Sequence, residues 1–308
     1  MLKIFYEVQS IFEKINFKLL KKFTYRVILE LVRFIVPLYY KYFPANENGI
    51  IDCIEKQSNP KIIVTLTSFP PRMNTLWMVL ESLLRQSKKP DRIILWLARS
   101  QFPYFDDIDT RIQKMESRGL EIRFCEDLRS HKKYYYAMQE FNNDIIITVD
   151  DDIFYPENMI AELYAKHIEY PESITCYRAH KITFMNGQVS KYVDWDHGAR
   201  GYTDKDYLLM ATGCGGVLYP PNCLYHEVFN IQAIQELCLN ADDIWLKCMG
   251  ILKGTKTVKV HGIYSEMFST RGSSDSGLAK NNVTGGHNDE QLKKVLERYL
   301  IDFNRLNV

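Results

Sequence analysis

A chain of 308 residues, 46% hydrophobic and 25% charged, is long enough to bury a full core as one large domain or two small ones. A formal net charge of +1 gives no global field for nucleic acid. Seven cysteines, odd in number and without a CxxC pair, argue against a zinc site or disulfide framework and fit reduced thiols in a cytoplasmic protein.

The first 41 residues carry eight Lys or Arg against three Glu, so +5 of charge gathers there and −4 is left for the remainder. The segment lacks the apolar core and small-residue cleavage site of a signal peptide. Its longest uncharged run, Phe34 to Tyr40, is too short to span a bilayer. Residues 2–35 predict a helix. Ile4, Val8, Ile11 and Ile15, with Phe5, Phe12, Leu19 and Phe23, recur at helical spacing, and lysines stand between them. Pro37 and Pro44 are expected to end it, and "FPANENGI" reads as a linker. The expected organisation is a basic amphipathic helical segment over 1–45, a linker over 46–60 and one domain over 61–308. Two readings of the helix stay open. It packs on the domain or on a protein partner, or it lies on an anionic membrane surface, peripheral to the inner face.

From Lys61 strands and helices alternate. "KIIVTLTSF" is a strand and "NTLWMVLESLLRQS" a helix with Leu76, Val79, Leu80, Leu83 and Leu84 on one face. "RIILWLA" and "LEIRF" are strands, "KKYYYAMQEF" is a helix, and "DIIITV" is the next strand. This rhythm predicts an α/β fold with a doubly wound parallel sheet, whose ligands bind beyond the carboxyl ends of the strands. "TSFPPR" after the first strand and "DDD" after the last then face one crevice. Further on, "GCGGVLYPP" is a glycine-rich bend without dinucleotide-fingerprint spacing. "NADDIWLKCMGIL" is a helix capped by Asn240 or Asp242, and Leu292, Val295, Leu296, Tyr299, Leu300 and Phe303 form a last helical stripe.

Three adjacent carboxylates at the end of an apolar strand call for a positive partner. Asp150 and Asp152 point alike on extended chain, and Asp151 points away. Solvated turn residues, a proton-sharing pair and a divalent-cation site are the alternatives. An EF-hand does not fit, because Phe154 and Tyr155 stand where a ligand and the glycine belong. Position in an α/β crevice favours Mg²⁺ or Mn²⁺, which take one or two carboxylates plus substrate phosphates. Thr67, Ser68, Phe69 and Arg72 at the first strand end, and Lys132 or Lys133, are candidate phosphate or base contacts.

In order, "IIVTLTSFPPR", "LESLLRQSKKPDRIILWL", "EDLRSHKKYYYA" and "IIITVDDDIFYP" resemble GT-A-type glycosyltransferases. More narrowly they look like the family-2-like enzymes of bacterial capsule and surface-polysaccharide synthesis. "TGCGGVLYPPN" and "NADDIW" are similar to motifs of exostosin-like transferases. The resemblance covers about residues 61–300. It implies a GT-A doubly wound mixed sheet behind the N-terminal helix. It also implies a metal-dependent transfer of sugar from a nucleotide-diphosphate donor, a UDP-sugar, to a saccharide or lipid-linked saccharide. By resemblance, Asp150 and Asp152 hold Mn²⁺ or Mg²⁺ and the diphosphate, and Asp151 approaches the ribose or donor sugar. Thr67, Ser68 and Phe69 cradle the nucleotide, and Lys132 and Lys133 fall among donor contacts. Gly215 belongs to the loop, Gly213 to Gly216, that shapes the sugar pocket. Asp242 and Asp243 match the acidic pair at a helix start. His287 sits in the tail where some relatives place a metal-ligating histidine.

Within "NADDIW", Asp242 reads as the helix cap and Asp243 as the freer, catalytic carboxylate. Trp195 reads either as an acceptor platform or as loop packing. His180 and His261 read as structural, and Cys214 lacks the neighbouring base of a nucleophile. Competing classes are a metal-dependent nucleotidyltransferase or phosphohydrolase, and a non-catalytic membrane-associated sugar-binding protein. The first usually shows a glycine- and Arg/Lys-rich loop after the first strand, whereas "TLTSFPPRM" has no glycine.

Overall fold

Seven strands form the central sheet of the computed structural model, which describes residues 1–14, 18–51, 60–260, 266–272 and 285–306. In chain order the helices are α1 (Leu2–Glu13), α2 (Lys18–Tyr42), α3 (Met73–Leu84), α4 (Thr110–Gln113), α5 (Lys132–Glu140), α6 (Met159–Glu169), α7 (Ile231–Leu237), α8 (Asp242–Lys253) and α9 (His287–Tyr299). The sheet contains β1 (Ile62–Ser68), β2 (Arg92–Ala98), β3 (Leu120–Cys125), β4 (Ile145–Thr148) and β5 (Ile174–Cys176). Short strands β6 (Ala179–Lys181), β7 (Phe184–Met185), β8 (Gln188–Val189), β9 (Asp196–His197) and β10 (Leu209–Ala211) follow outside it, before β11 (Val217–Tyr219) and β12 (Thr257–Lys259) rejoin it.

The strand order is β12-β5-β11-β4-β1-β2-β3. Strands β4, β1, β2 and β3 run parallel, and β11 lies antiparallel between β4 and β5. The sheet is therefore mixed and doubly wound. Alternation along each strand feeds two layers. Ile62, Val64, Leu66, Ile93, Leu95 and Leu97 enter one core, with α3 and α6. Ile63, Ile94 and Trp96 enter the other, beneath α5 and α8. Residues buried on both faces explain why these strands read as continuous apolar runs.

The N-terminal segment is two helices rather than one. The second continues through Pro37 to Tyr42, so the proline does not end it. Pro37 removes one helical hydrogen bond, a cost of roughly 3 kcal/mol. Val36 and Tyr40, buried against the domain on either side of it, hold the helix in place. Both helices pack on the domain. Tyr6 is buried, donates its hydroxyl hydrogen to Phe154 O (2.7 Å) and accepts from Phe268 N (3.0 Å). Arg33 donates to Ser269 O (2.9 Å) and Thr270 O (3.1 Å), and Tyr25 Oη donates to Met267 O (3.0 Å). Beyond α2, Gly49 N donates to Arg118 O and Ile51 N to Pro90 O, so this part of the expected linker is fixed to the domain. The rest of it, 52–59, lies outside the described residues.

Candidate active site

The sheet reverses its winding between β1 and β4, where a doubly wound sheet opens its ligand crevice. Their register sets Thr65 beside Thr148. Val149 N then donates to Thr65 O (3.1 Å), so the end of β1 at Ser68 lies next to the Asp150–Asp152 turn. The turn is fixed from below by backbone. Thr270 N donates to Asp152 O (2.7 Å), Phe154 N donates to Phe268 O (2.9 Å), and Ile153 bridges Ser269.

Each aspartate has its own partner. Asp150 Oδ1 accepts from Lys133 Nζ at 2.7 Å. Asp151 Oδ2 accepts from Ser68 Oγ at 2.5 Å. Asp152 Oδ2 pairs with Arg72 Nη1 at 2.9 Å, and the Arg72 guanidinium also lies over the Phe69 ring. Burial raises the Asp151 carboxyl, the nearby Asp152 charge raises it further, and Arg72 and Ser68 oppose them, leaving it at about 7. Asp150 is raised as well, by burial, though Lys133 pulls it back. Three carboxylates face two cations in this turn, Arg72 and Lys133, and Lys133 is shared with Asp242.

Lys133 comes from the first turn of α5, which the Thr65 hydroxyl ties to the sheet by donating to Lys133 O (2.7 Å). Its ammonium also lies 2.8 Å from Asp242 Oδ2. Burial alone would lower the Lys133 pKa, but Asp150, Asp242 and Asp243 hold it well above the ordinary lysine value. Burial pushes Asp242 up, but the Lys133 and His131 charges and hydrogen bonding from Lys133 together leave the carboxyl below its usual range.

Asp242 is not the helix cap that the sequence suggested. Ala241 holds the N-cap position of α8 without a side-chain cap, and Asp242 turns inward to the lysine. Both oxygens of Asp243 accept from Gly213 N at 3.1 Å. Burial and the adjacent Asp242 charge raise Asp243 to about 7, against Lys133. Gly213 lies directly against this cluster. A Cβ there would lie 2.7 Å from Lys133 Nζ and 2.8 Å from Asp150 Oδ1.

The other candidates are distributed as follows. Thr67 lies one residue before the end of β1 and donates to Trp96 O. Phe69 follows, half-buried under Arg72. Lys132 turns away from the acidic turn to Asp127 (2.5 Å), leaving Lys133 to reach Asp150. Gly215 admits the backbone of Arg178, whose N would lie 2.7 Å from an added Cβ. His287 is exposed at the start of α9. Among the described residues no three His, Cys, Asp or Glu side chains converge to hold a metal ion, so His287 is not brought to Asp150 and Asp152. The reason is that α9 is spent on packing against α8 and α7 through Leu292 and Val295.

Trp195 is buried and donates to Ser190 O (2.9 Å), so it is loop packing and offers no face to a sugar. His180 is buried, with burial and Arg178 pushing it down to about 2. Burial pushes Cys214 up to about 11, which leaves it a thiol. His261 lies outside the described residues.

The model of glycosyl transferase family 2 matches residues 62–220, just over half of the chain. The chain belongs to this family. It is a glycosyltransferase of GT-A fold. No curated protein matches the sequence. Among solved structures it is similar to the mannosyltransferase PcManGT from Pyrobaculum calidifontis, in complex with GDP-Man and Mn²⁺. The identity is 10% and the TM-score 0.49, over 89% of this chain and 74% of that one. It is also similar to S. aureus TarS 1–349, at 13% identity and a TM-score of 0.44, over 80% and 73%.

Three parts of the glycosyltransferase site escaped sequence reasoning. Tyr155 accepts from Asp150 N through its hydroxyl (2.8 Å), and the only signal was an aromatic residue just after the acidic turn. Arg178, partly buried behind the Gly213–Gly215 loop, follows a strand of three residues, too short to show a period. Residues 267–270, which brace the turn, carry no motif at all.

Proposed function

We propose that this glycosyltransferase moves a sugar from a nucleotide-diphosphate donor, a UDP-sugar, to a hydroxyl of a saccharide or lipid-linked saccharide acceptor in surface-polysaccharide synthesis. The observation that carries the reading is the junction of two acidic groups through one lysine. The Asp150–Asp152 turn and the Asp242–Asp243 pair face each other across Lys133.

The donor set fits a hard divalent cation, Mn²⁺ or Mg²⁺. Asp150 and Asp152 supply two carboxylates in a turn where three carboxylates face two cations, and such ions commonly complete their shell with water and substrate phosphate. When bound, the ion would neutralise the diphosphate as it leaves. The chain's own residues do the rest. Ser68 and Arg72 fix Asp151 and Asp152, so the turn meets the nucleotide already oriented. As the acceptor oxygen bonds to the anomeric carbon, the bond from that carbon to the diphosphate oxygen breaks. The hydroxyl proton passes to Asp243, whose pKa of about 7 suits a general base at neutral pH.

A thermal-shift panel of UDP, GDP and CDP, with and without Mn²⁺, tests the reading. UDP with Mn²⁺ should raise the melting temperature, because a ligand at a hundred times its Kd adds about 2.7 kcal/mol. The absence of any nucleotide- and metal-dependent shift would overturn it. A shift with GDP alone would change the donor and keep the chemistry.

A further inference from the structure

The inner face of the α1–α2 hairpin is buried on the domain, and its outer face is apolar too. On α2, Ile28, Val32, Val36 and Tyr40 point inward. Leu19, Phe23, Val27, Phe34, Leu38 and Tyr42 point outward, with Leu19 73% and Phe23 64% exposed. At 3.6 residues per turn these outward residues fall within an arc of roughly 140°. On α1, Ile4, Val8 and Ile11 repeat the pattern. Scattered apolar side chains are ordinary on a surface, but an apolar stripe repeated on two adjoining helices marks an interaction face. Exposed Lys14, Lys22 and Arg26 lie beside it, and Glu30 and Lys41 stand within it.

We propose that this face seats the protein on an anionic lipid bilayer, its apolar stripe at the headgroup–acyl boundary and its lysines on lipid phosphates. Among the described residues no helix is long and apolar enough to cross a membrane, so the hairpin lies in the interface plane. Charge selects lipid over a second copy of the chain. Among its described residues the hairpin exposes five basic residues, Lys3, Lys14, Lys22, Arg26 and Lys41, against two acids, Glu7 and Glu30, so two copies paired through it would bring net positive charge together. An anionic surface meets that charge instead. The seat is also joined to the catalytic cleft. Residues 267–270, gripped by Tyr6, Tyr25 and Arg33, are the ones that brace the Asp150–Asp152 turn.

Co-sedimentation of the full-length protein with vesicles tests this, using phosphatidylcholine alone or mixed with phosphatidylglycerol. The protein should pellet with the mixed vesicles at low salt and release as salt rises, since exposed charge is screened within about 8–10 Å at physiological strength. Each basic residue near such a surface is worth roughly a fivefold change in binding. Lys14→Gln/Lys22→Gln/Arg26→Gln should therefore bind on the order of a hundredfold more weakly, with an unchanged melting temperature. Phe23→Ser/Phe34→Ser should lose the salt-resistant part. Full-length protein left in the supernatant with phosphatidylglycerol vesicles would overturn the proposal. So would a solution dimer, seen by light scattering, that Phe23→Ser/Phe34→Ser dissociates.

Discussion

Lys133 Nζ lies 2.7 Å from Asp150 Oδ1, and this pair joins the donor turn to the acidic start of α8. Lys133 and Asp242 are removed from bulk water while Asp150 is partly exposed, so deleting the cation strands Asp242 most of all. Breaking a buried pair costs about 3–5 kcal/mol. Lys133→Met keeps the length of the side chain and removes its charge. It should lower the melting temperature by several degrees and abolish transfer, and Lys132→Met should do neither to that extent. Equal stability of Lys133→Met and the native protein, measured by urea unfolding, would show that the lysine is dispensable.

The second prediction separates the two aspartates of α8. Asp243→Asn still accepts from Gly213 N but cannot take a proton. Its turnover should drop roughly a hundredfold or more while nucleotide binding is kept. Near-normal turnover would move the base elsewhere.

The pH profile gives a third. With its pKa raised to about 7, Asp243 is protonated as pH falls through that value, and the base form is lost on the acidic side. The rate should fall about tenfold per pH unit below about 7 and level off above it. The acidic limb should vanish in the residual activity of Asp243→Asn.

Gly213→Ala makes the fourth. The added methyl would stand 2.7 Å from Lys133 Nζ and 2.8 Å from Asp150 Oδ1, both held by partners. It should disrupt the Lys133–Asp150 pair while leaving the sheet intact. The expected result is loss of transfer with a native circular-dichroism spectrum. Full activity would show that the cluster yields easily.

Metal removal is the fifth. Excess EDTA should stop transfer, and Mn²⁺ or Mg²⁺ should restore it. Asp152→Asn should raise the metal concentration needed for half-maximal rate. Unchanged transfer in EDTA would exclude a metal role for the turn.

The parallel half of the sheet was legible because its strands are buried on both faces. Arg92–Ala98 emerges with the bounds that its apolar run suggests. The acidic turn was legible for the same reason, since three charges after such a strand stand out. What the sequence hid depends on distant partners. Asp242 looks like a cap until Lys133 draws it inward. Trp195 looks like a platform until Ser190 satisfies its indole. Pro37 looks like a stop until the domain surface supports the helix on both sides of it. The strands from β6 to β10 have two or three residues each, and no periodicity can be read from so few.

The hairpin that grips residues 267–270 is made long before they are. The Tyr6 contacts span 148 and 262 residues of chain. At roughly 5–20 residues per second of synthesis, the wait for the second partner is on the order of 10–50 s. A helix forms within about a microsecond. Both amphipathic segments are therefore synthesised early and remain, with both apolar faces bare, through most of translation. Whatever surface first covers the outer stripe can do so before the catalytic domain exists, and the domain then closes onto helices already in place.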